Sequence, residues 1–186
     1  MRTVATLGLI AALIAAAGHA EAQILVGETA PDFTLPASTG GTISLSDFRG
    51  KNIVLVEFYH ANYGPDCVEN LKQRHKDYSH FTELGVVVLA ISMDHTYSQT
   101  AFAASQGVPY PLLSDYPHGR TVEAYGVGHL EGEAGRLYAR PSFFLIDKDG
   151  LIRGYWGQRP PNLDEVIAPD PLVSSRPMLE MAQALL

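Results

Sequence analysis

The chain has 186 residues, 13 Lys and Arg against 20 Asp and Glu, a formal net charge of −7, and a single cysteine, Cys67. An acidic balance with no basic cluster excludes nucleic acid as a partner. One cysteine excludes an intrachain disulfide, and the length suits one domain with a full hydrophobic core without a second.

At the N-terminus, Arg2 precedes a run from Val4 to Ala17 made almost wholly of Ala, Leu, Ile and Val. Gly18-His19-Ala20-Glu21-Ala22 then offers small residues at the spacing a signal peptidase accepts. Residues 1–22 therefore read as an export signal cut after Ala22 or Ala20, because the apolar run falls short of the roughly 20 residues of a membrane span. An uncleaved N-terminal anchor is the alternative. Either way the mature chain is expected in the periplasm or secreted, an oxidising setting in which an unpaired thiol points to a reactive group or an intermolecular bridge.

Pro31 to Pro36 and Thr42 to Leu45 alternate polar and apolar residues around Gly40-Gly41, which predicts a small hairpin. Ile53-Val54-Leu55-Val56-Glu57-Phe58 is a strand. Asp66 to Leu84 contains neither Pro nor Gly and predicts one helix, closed by Gly85. Val86 to Ile91 is an unbroken apolar run, as in a strand buried on both faces. A helix over about Tyr97 to Ser105 capped by Gly107, an extended piece from Tyr110 to Leu113 and a short helix from Arg120 to Tyr125 follow. Ser142 to Ile146, the turn Asp147-Lys148-Asp149-Gly150 and Leu151 to Trp156 read as a terminal hairpin. The turn lacks the downstream glutamate and spacing of a calcium loop. From Gln158 through Pro160-Pro161 to Pro171 the chain is turn-rich and expected to wrap the surface. Met178 to Leu186 is an amphipathic helix that packs on the domain or joins two copies in a homodimer.

Strand, helix, strand, helix and hairpin imply an α/β domain whose central mixed sheet is flanked by helices. Ligands of open α/β sheets bind at the carboxyl ends of the strands. The turn Tyr63-Gly64-Pro65-Asp66 after the first long strand leads into Cys67 at that end, in the first turn of a helix. Free backbone N–H groups and the helix dipole there favour the thiolate, which is the nucleophile. The competing reading of a free cysteine is a small buried hydrophobe.

From about Val26 to Gly157 the chain resembles the peroxiredoxins of the alkyl hydroperoxide reductase and thiol-specific antioxidant type, which have a thioredoxin-like fold. The resemblance rests on Val26-Gly27-Glu28-Thr29-Ala30-Pro31-Asp32-Phe33, Leu45-Ser46-Asp47-Phe48-Arg49-Gly50-Lys51, Pro109-Tyr110-Pro111-Leu112-Leu113-Ser114-Asp115 and Phe144-Leu145-Ile146-Asp147-Lys148-Asp149-Gly150, in that order. It implies a thioredoxin-like domain over 23–157 and a C-terminal extension over 158–186. In the family the peroxidatic cysteine ends a motif of Pro, three residues, Thr, two residues, Cys. Cys67 falls at that position, which implies attack on a peroxide O–O bond and conversion to a sulfenic acid. With no resolving cysteine, an external thiol or thioredoxin-like reductant would recycle it.

Other motif positions differ. His60 stands in place of the proline and Gly64 in place of the threonine whose hydroxyl would hold the peroxide, while Pro65 is retained. Backbone N–H groups around Gly64 to Cys67 are then the expected oxyanion donors. The family's arginine matches Arg140, displaced by one position, with Pro141 at the expected place; Arg136 and Arg120 are the other candidates. Arg140 would favour the thiolate, whereas Asp66 and Glu69 oppose it. Pro141 to Asp147 is also similar to the thioredoxin pattern in which a cis-proline precedes this strand. By that pattern Gly64-Pro65-Asp66-Cys67 is a CxxC motif without its first cysteine.

Cys67 and Arg140 are thus the expected catalytic residues, with Gly64, Asp66 and Pro141 at the substrate. The histidines His60, His75, His95, His118 and His129 show no repeated metal-ligand spacing, so neither a metal nor another cofactor is expected. His60, seven residues before Cys67, is a candidate proton carrier or a space-filling residue. Tyr59, Tyr63 and Trp156 read as packing residues. The expected function is an exported one-Cys thiol peroxidase acting on hydrogen peroxide or alkyl hydroperoxides. The alternatives are a thioredoxin-fold binding protein that has lost catalysis, and a monothiol oxidoreductase.

Overall fold

The computed structural model describes residues 26–62, 65–157 and 174–186, and at residues 65–67 the backbone alone. The expected export signal, Tyr63, Gly64 and the turn-rich tail over 158–173 lie outside the described residues.

The apolar runs form the sheet. β3 (Ile53–Phe58), β4 (Val86–Ser92) and β5 (Leu112–Ser114) are parallel, while β8 (Ser142–Ile146) and β9 (Ile152–Gly157) run antiparallel, in the order β5-β4-β3-β8-β9. Every residue of β3 and β8 is buried, which is why these strands read as continuous rather than alternating apolar runs. The expected opening hairpin is β1 (Thr34–Pro36) with β2 (Thr42–Ser44).

Helices α1 (Pro65–Glu83), α2 (Thr96–Gln106) and α3 (Arg120–Ala124) fill the predicted positions. Gly107 ends α2 at φ 64°, the left-handed conformation that costs glycine least. The expected extended piece from Tyr110 begins its pairing only at Leu112. Asp147 Oδ1 accepts from the N–H groups of Asp149 and Leu151, both at 2.9 Å, which fixes the turn between β8 and β9. Gly157 closes β9 where a Cβ would come 2.7 Å from Ser142 Cα, so only glycine lets the strand approach this close. The last helix, α4 (Arg176–Ala184), packs on its own domain, burying Met178 and Ala182 in the core.

Two features go beyond what the sequence settles. A second hairpin, β6 (Gly128–Glu131) with β7 (Arg136–Ala139), stands apart from the main sheet. The Arg140–Pro141 peptide is trans; among the described residues the cis bond is Tyr116–Pro117. The thioredoxin-type cis-proline before β8 is therefore absent.

The two faces of the sheet carry separate cores. On one, Val54, Val56 and Phe58 meet Leu89, Ile91, Phe144, Phe33, Val122 and Tyr125. On the other, Ile53, Leu55 and Tyr59 meet Leu71, Phe81, Val88, Phe102, Phe143 and Met178, beneath α1 and α4. The period of two along β3 decides which residue joins which core, and it places Glu57 on the α1 side.

Candidate active site

β3 delivers the chain to its carboxyl end at Phe58, and the next four residues are held by a polar network. The Tyr59 N–H donates to Ile91 O at 3.0 Å, and its hydroxyl donates to Asn62 Oδ1 at 2.9 Å. The Asn62 N–H donates to Asp94 Oδ2 at 2.8 Å, and its side-chain amide donates to Ser98 Oγ at 3.0 Å. Gln99, fully buried, donates to Tyr59 Oη, Ser92 Oγ and Leu113 O at 2.8 to 3.2 Å. Groups buried this deeply are costly unless bonded, so the network fixes the loop leading toward Cys67.

α1 then starts at Pro65, a residue suited to the first helical position because its missing N–H has no partner there anyway. Cys67 is the third residue of that helix. The backbone N–H groups of Asp66 and Cys67 belong to the first turn, whose donors have no partner within the helix. The backbone thus places Cys67 as the sequence predicts. Gly64, the other expected substrate contact in this turn, lies outside the described residues.

Across β3, Ser142 pairs with Phe58, so Arg140 and Pro141 arrive at the same carboxyl end of the sheet. Arg140 is half-buried. Its guanidinium donates from Nη1 to Gly128 O at 2.8 Å, and its backbone N–H donates to Val127 O at 2.7 Å. This arginine therefore fastens β6 to the start of β8. The other candidates are exposed: Arg120 opens α3, and Arg136 reaches Tyr138 Oη at 3.4 Å on the outer hairpin.

Sequence reasoning missed two groups at this end. The first is Glu57, one residue before the end of β3. It is fully buried, and neither carboxylate oxygen has a hydrogen-bond partner among the described residues. Burial pushes its carboxyl up to about 7, and the positive charge of Arg74 opposes the rise. Arg74 lies on α1 two turns beyond Cys67, equally buried, with its guanidinium carbon 5.1 Å from the centre of the Phe143 ring. An acid inside an otherwise apolar strand was the available signal; Arg74, set among Lys72, His75 and Lys76, gave none.

The second group is His60 with the β6–β7 hairpin. His60 Nε2 lies 3.1 Å from Glu131 Oε2, and His129 Nε2 lies 2.7 Å from Glu131 Oε1. The His129 ring, then the His60 ring, hold the Glu131 carboxyl below the usual range. Tyr138, the cross-strand partner of His129, stacks on His60 with ring centres 4.2 Å apart and planes 15° from parallel. Gly132 and Gly135 flank the turn of this hairpin, but strands of four residues, only one of them buried, give little periodicity to read.

Comparison with known proteins matches this arrangement. Residues 26–155 match the AhpC/TSA family. The chain is 36% identical over 136 residues to a putative peroxiredoxin Bcp of Coxiella burnetii, covering 72% of this chain and 89% of that protein. It is 34% identical over 135 residues to peroxiredoxin Bcp of Bacillus subtilis, covering 72% and 85%. The crystal structure of peroxidoxin BcpB from Mycobacterium tuberculosis superposes with a TM-score of 0.74 at 26% identity, covering 88% of this chain and 99% of that one. With a thioredoxin-like domain of matching extent and a cysteine in the first turn after β3, the chain belongs to the AhpC/TSA family of peroxiredoxins.

Proposed function

We propose that the protein is an exported one-Cys thiol peroxidase whose nucleophile is Cys67. The observation that carries this reading is the position of Cys67 in the first turn of α1, after β3, inside the segment matched by the family. The relatives named as peroxiredoxins support the reaction class. The Cys67 thiolate attacks one peroxide oxygen, and the O–O bond breaks. One oxygen stays on sulfur as the sulfenic acid, and the other leaves as water or an alcohol after taking a proton. An external thiol then attacks the sulfenic sulfur, releasing water, and a second thiol resolves the mixed disulfide. Backbone N–H groups of the first turn stabilise the departing oxygen where Gly64 offers no hydroxyl, and Arg140 supplies positive charge at the start of β8.

Stopped-flow oxidation of Cys67 by hydrogen peroxide tests the reading. The wild-type rate is expected to exceed that of an ordinary free thiol by several orders of magnitude, to vanish in Cys67→Ser and to fall in Arg140→Ala. A wild-type rate equal to that of a free thiol would sink the peroxidase reading and leave a binding role, and an unchanged rate in Arg140→Ala removes Arg140 from the reaction. Export rests on the apolar run and small-residue site of residues 1–22. Fractionation of cells expressing the full chain is expected to recover a shortened protein outside the cytoplasm; full-length protein in the cytosol overturns that part.

A further inference from the structure

Beyond the peroxide reaction, we infer that His60, His129 and Glu131 form a binding site for one divalent transition-metal ion of the zinc class. Two imidazoles and a carboxylate offer one ligand atom each, and all three atoms lie within 4.8 Å of one another. Tetrahedral bonds of about 2.0–2.1 Å set ligand atoms about 3.3 Å apart. His60 Nε2 lies 3.1 Å from Oε2 and His129 Nε2 2.7 Å from Oε1, so both nitrogens already stand against the one carboxylate.

The scaffold holds the three groups in place. His129 and Glu131 stand two apart on β6 and so project to the same side of the hairpin. β7 pairs with them in register, His129 opposite Tyr138 and Glu131 opposite Arg136. The Tyr138 ring fixes the plane of His60 by stacking, and Arg140 ties the base of β6 through Gly128 O. His60 Nε2 is buried without a hydrogen bond of proper alignment, although the Glu131 carboxylate lies beside it. A metal ion placed between the rings and the carboxylate would use this nitrogen's lone pair.

The donor set selects the ion. Two nitrogens and one oxygen suit zinc, copper(II), nickel or iron(II), whereas calcium and magnesium need more oxygen ligands. Three protein ligands leave a position for water or an added ligand, as in open rather than closed zinc sites. The side chains of His60, His129 and Glu131 are 29%, 19% and 47% exposed, which leaves the ion a path in from solvent. His60 also begins the segment that leads to Cys67, so an ion here would pin that segment to the hairpin.

Calorimetric titration of ZnCl2 into chelator-stripped, tag-free protein tests the site. One zinc per chain is expected, with affinity reduced roughly tenfold or more in His129→Ala and in Glu131→Gln, and unchanged in Cys67→Ser and in the exposed control His118→Ala. Glu131→Gln keeps the side-chain size at an exposed position, so it separates ligand loss from misfolding. Cobalt(II) in place of zinc is expected to give visible ligand-field bands without a thiolate charge-transfer band. Wild-type affinity equal to that of both ligand variants overturns the site. So does a thiolate band abolished by Cys67→Ser, which would put the metal on the cysteine. The titration does not depend on peroxide turnover, so a failure of the peroxidase reading leaves it intact.

Discussion

The two faces of the central sheet are built from the same strands but solve different problems. The face under β1, β2 and α3 is closed by apolar side chains, with Phe58, Phe144 and Tyr125 meeting edge to face and tilted at centroid distances of 5.0 to 5.8 Å. The face under α1 is as well buried, yet it contains Glu57, Arg74 and the Tyr59–Asn62–Gln99 network. Buried charge is weak evidence for stability, because replacement by packed apolar groups is often neutral or better. It is concentrated beneath the helix that carries Cys67, whereas the opposite face buries a carboxylate, Asp115, that is bonded to the Val122 N–H at 2.8 Å. The contrast teaches that one face holds the fold together while the other positions α1 and the loop before it.

The largest expected effect tests the apolar face. Phe144→Ala removes a ring that packs on Phe58, Tyr125 and Tyr155. Urea unfolding is expected to show a loss of about 3–5 kcal/mol. Because the phenols beside that ring do not ionise between pH 5 and pH 8, the loss should be the same at both. A loss that grows with pH would erase the contrast between the faces.

Much of this architecture is legible in the sequence, for identifiable reasons. Long apolar runs such as Val86–Ser92 and helix stops such as Gly107 act locally, so strand and helix order can be read from neighbouring residues. The β6–β7 hairpin escapes because its strands are short and face water, leaving no apolar alternation. The His60–His129–Glu131 cluster escapes for a different reason. His60 comes from the end of β3, and its partners come from a hairpin that only the fold brings alongside, so no sequence spacing encodes the set. The position of Cys67 was readable because turn, proline and helix start are adjacent in the chain. The partner of Arg140, a backbone carbonyl on β6, was not.

The second effect concerns Glu57. Its carboxyl is raised from 4.5 to about 7, chiefly by burial, so the folded state holds a proton that the unfolded chain releases near 4.5. Proton binding by the folded state stabilises it below that point. The stabilisation is lost as pH rises from about 4.5 through about 7, an interval worth about 3 kcal/mol. Gln in this position cannot ionise and resembles the protonated acid. Glu57→Gln should therefore match wild type near pH 4.5 and exceed its stability by about 3 kcal/mol at pH 8. Parallel stability curves for the two proteins across this range would show that Glu57 does not titrate as its burial implies.

The smallest effect separates Arg74 from the usual expectation for a buried pair. Removing one partner of such a pair commonly costs about 3–5 kcal/mol, because the other is left charged and uncompensated. Glu57 has an escape: already near 7, it keeps its proton once the opposing charge of Arg74 is gone. At pH 8 the wild-type carboxyl is ionised and the Arg74→Met carboxyl is protonated. The added cost is then bounded by the interval from about 7 to 8, about 1 kcal/mol. Whatever Met does to packing against Phe143 and Met178 appears at both pH 5 and pH 8 and cancels in the difference. Arg74→Met should accordingly lose about 1 kcal/mol more at pH 8 than at pH 5, and the difference should disappear in the Glu57→Gln background. An extra loss of several kcal/mol would mean that Glu57 stays ionised without its partner. The α1 face would then be held by a charge pair and not by a carboxyl that can shed its charge.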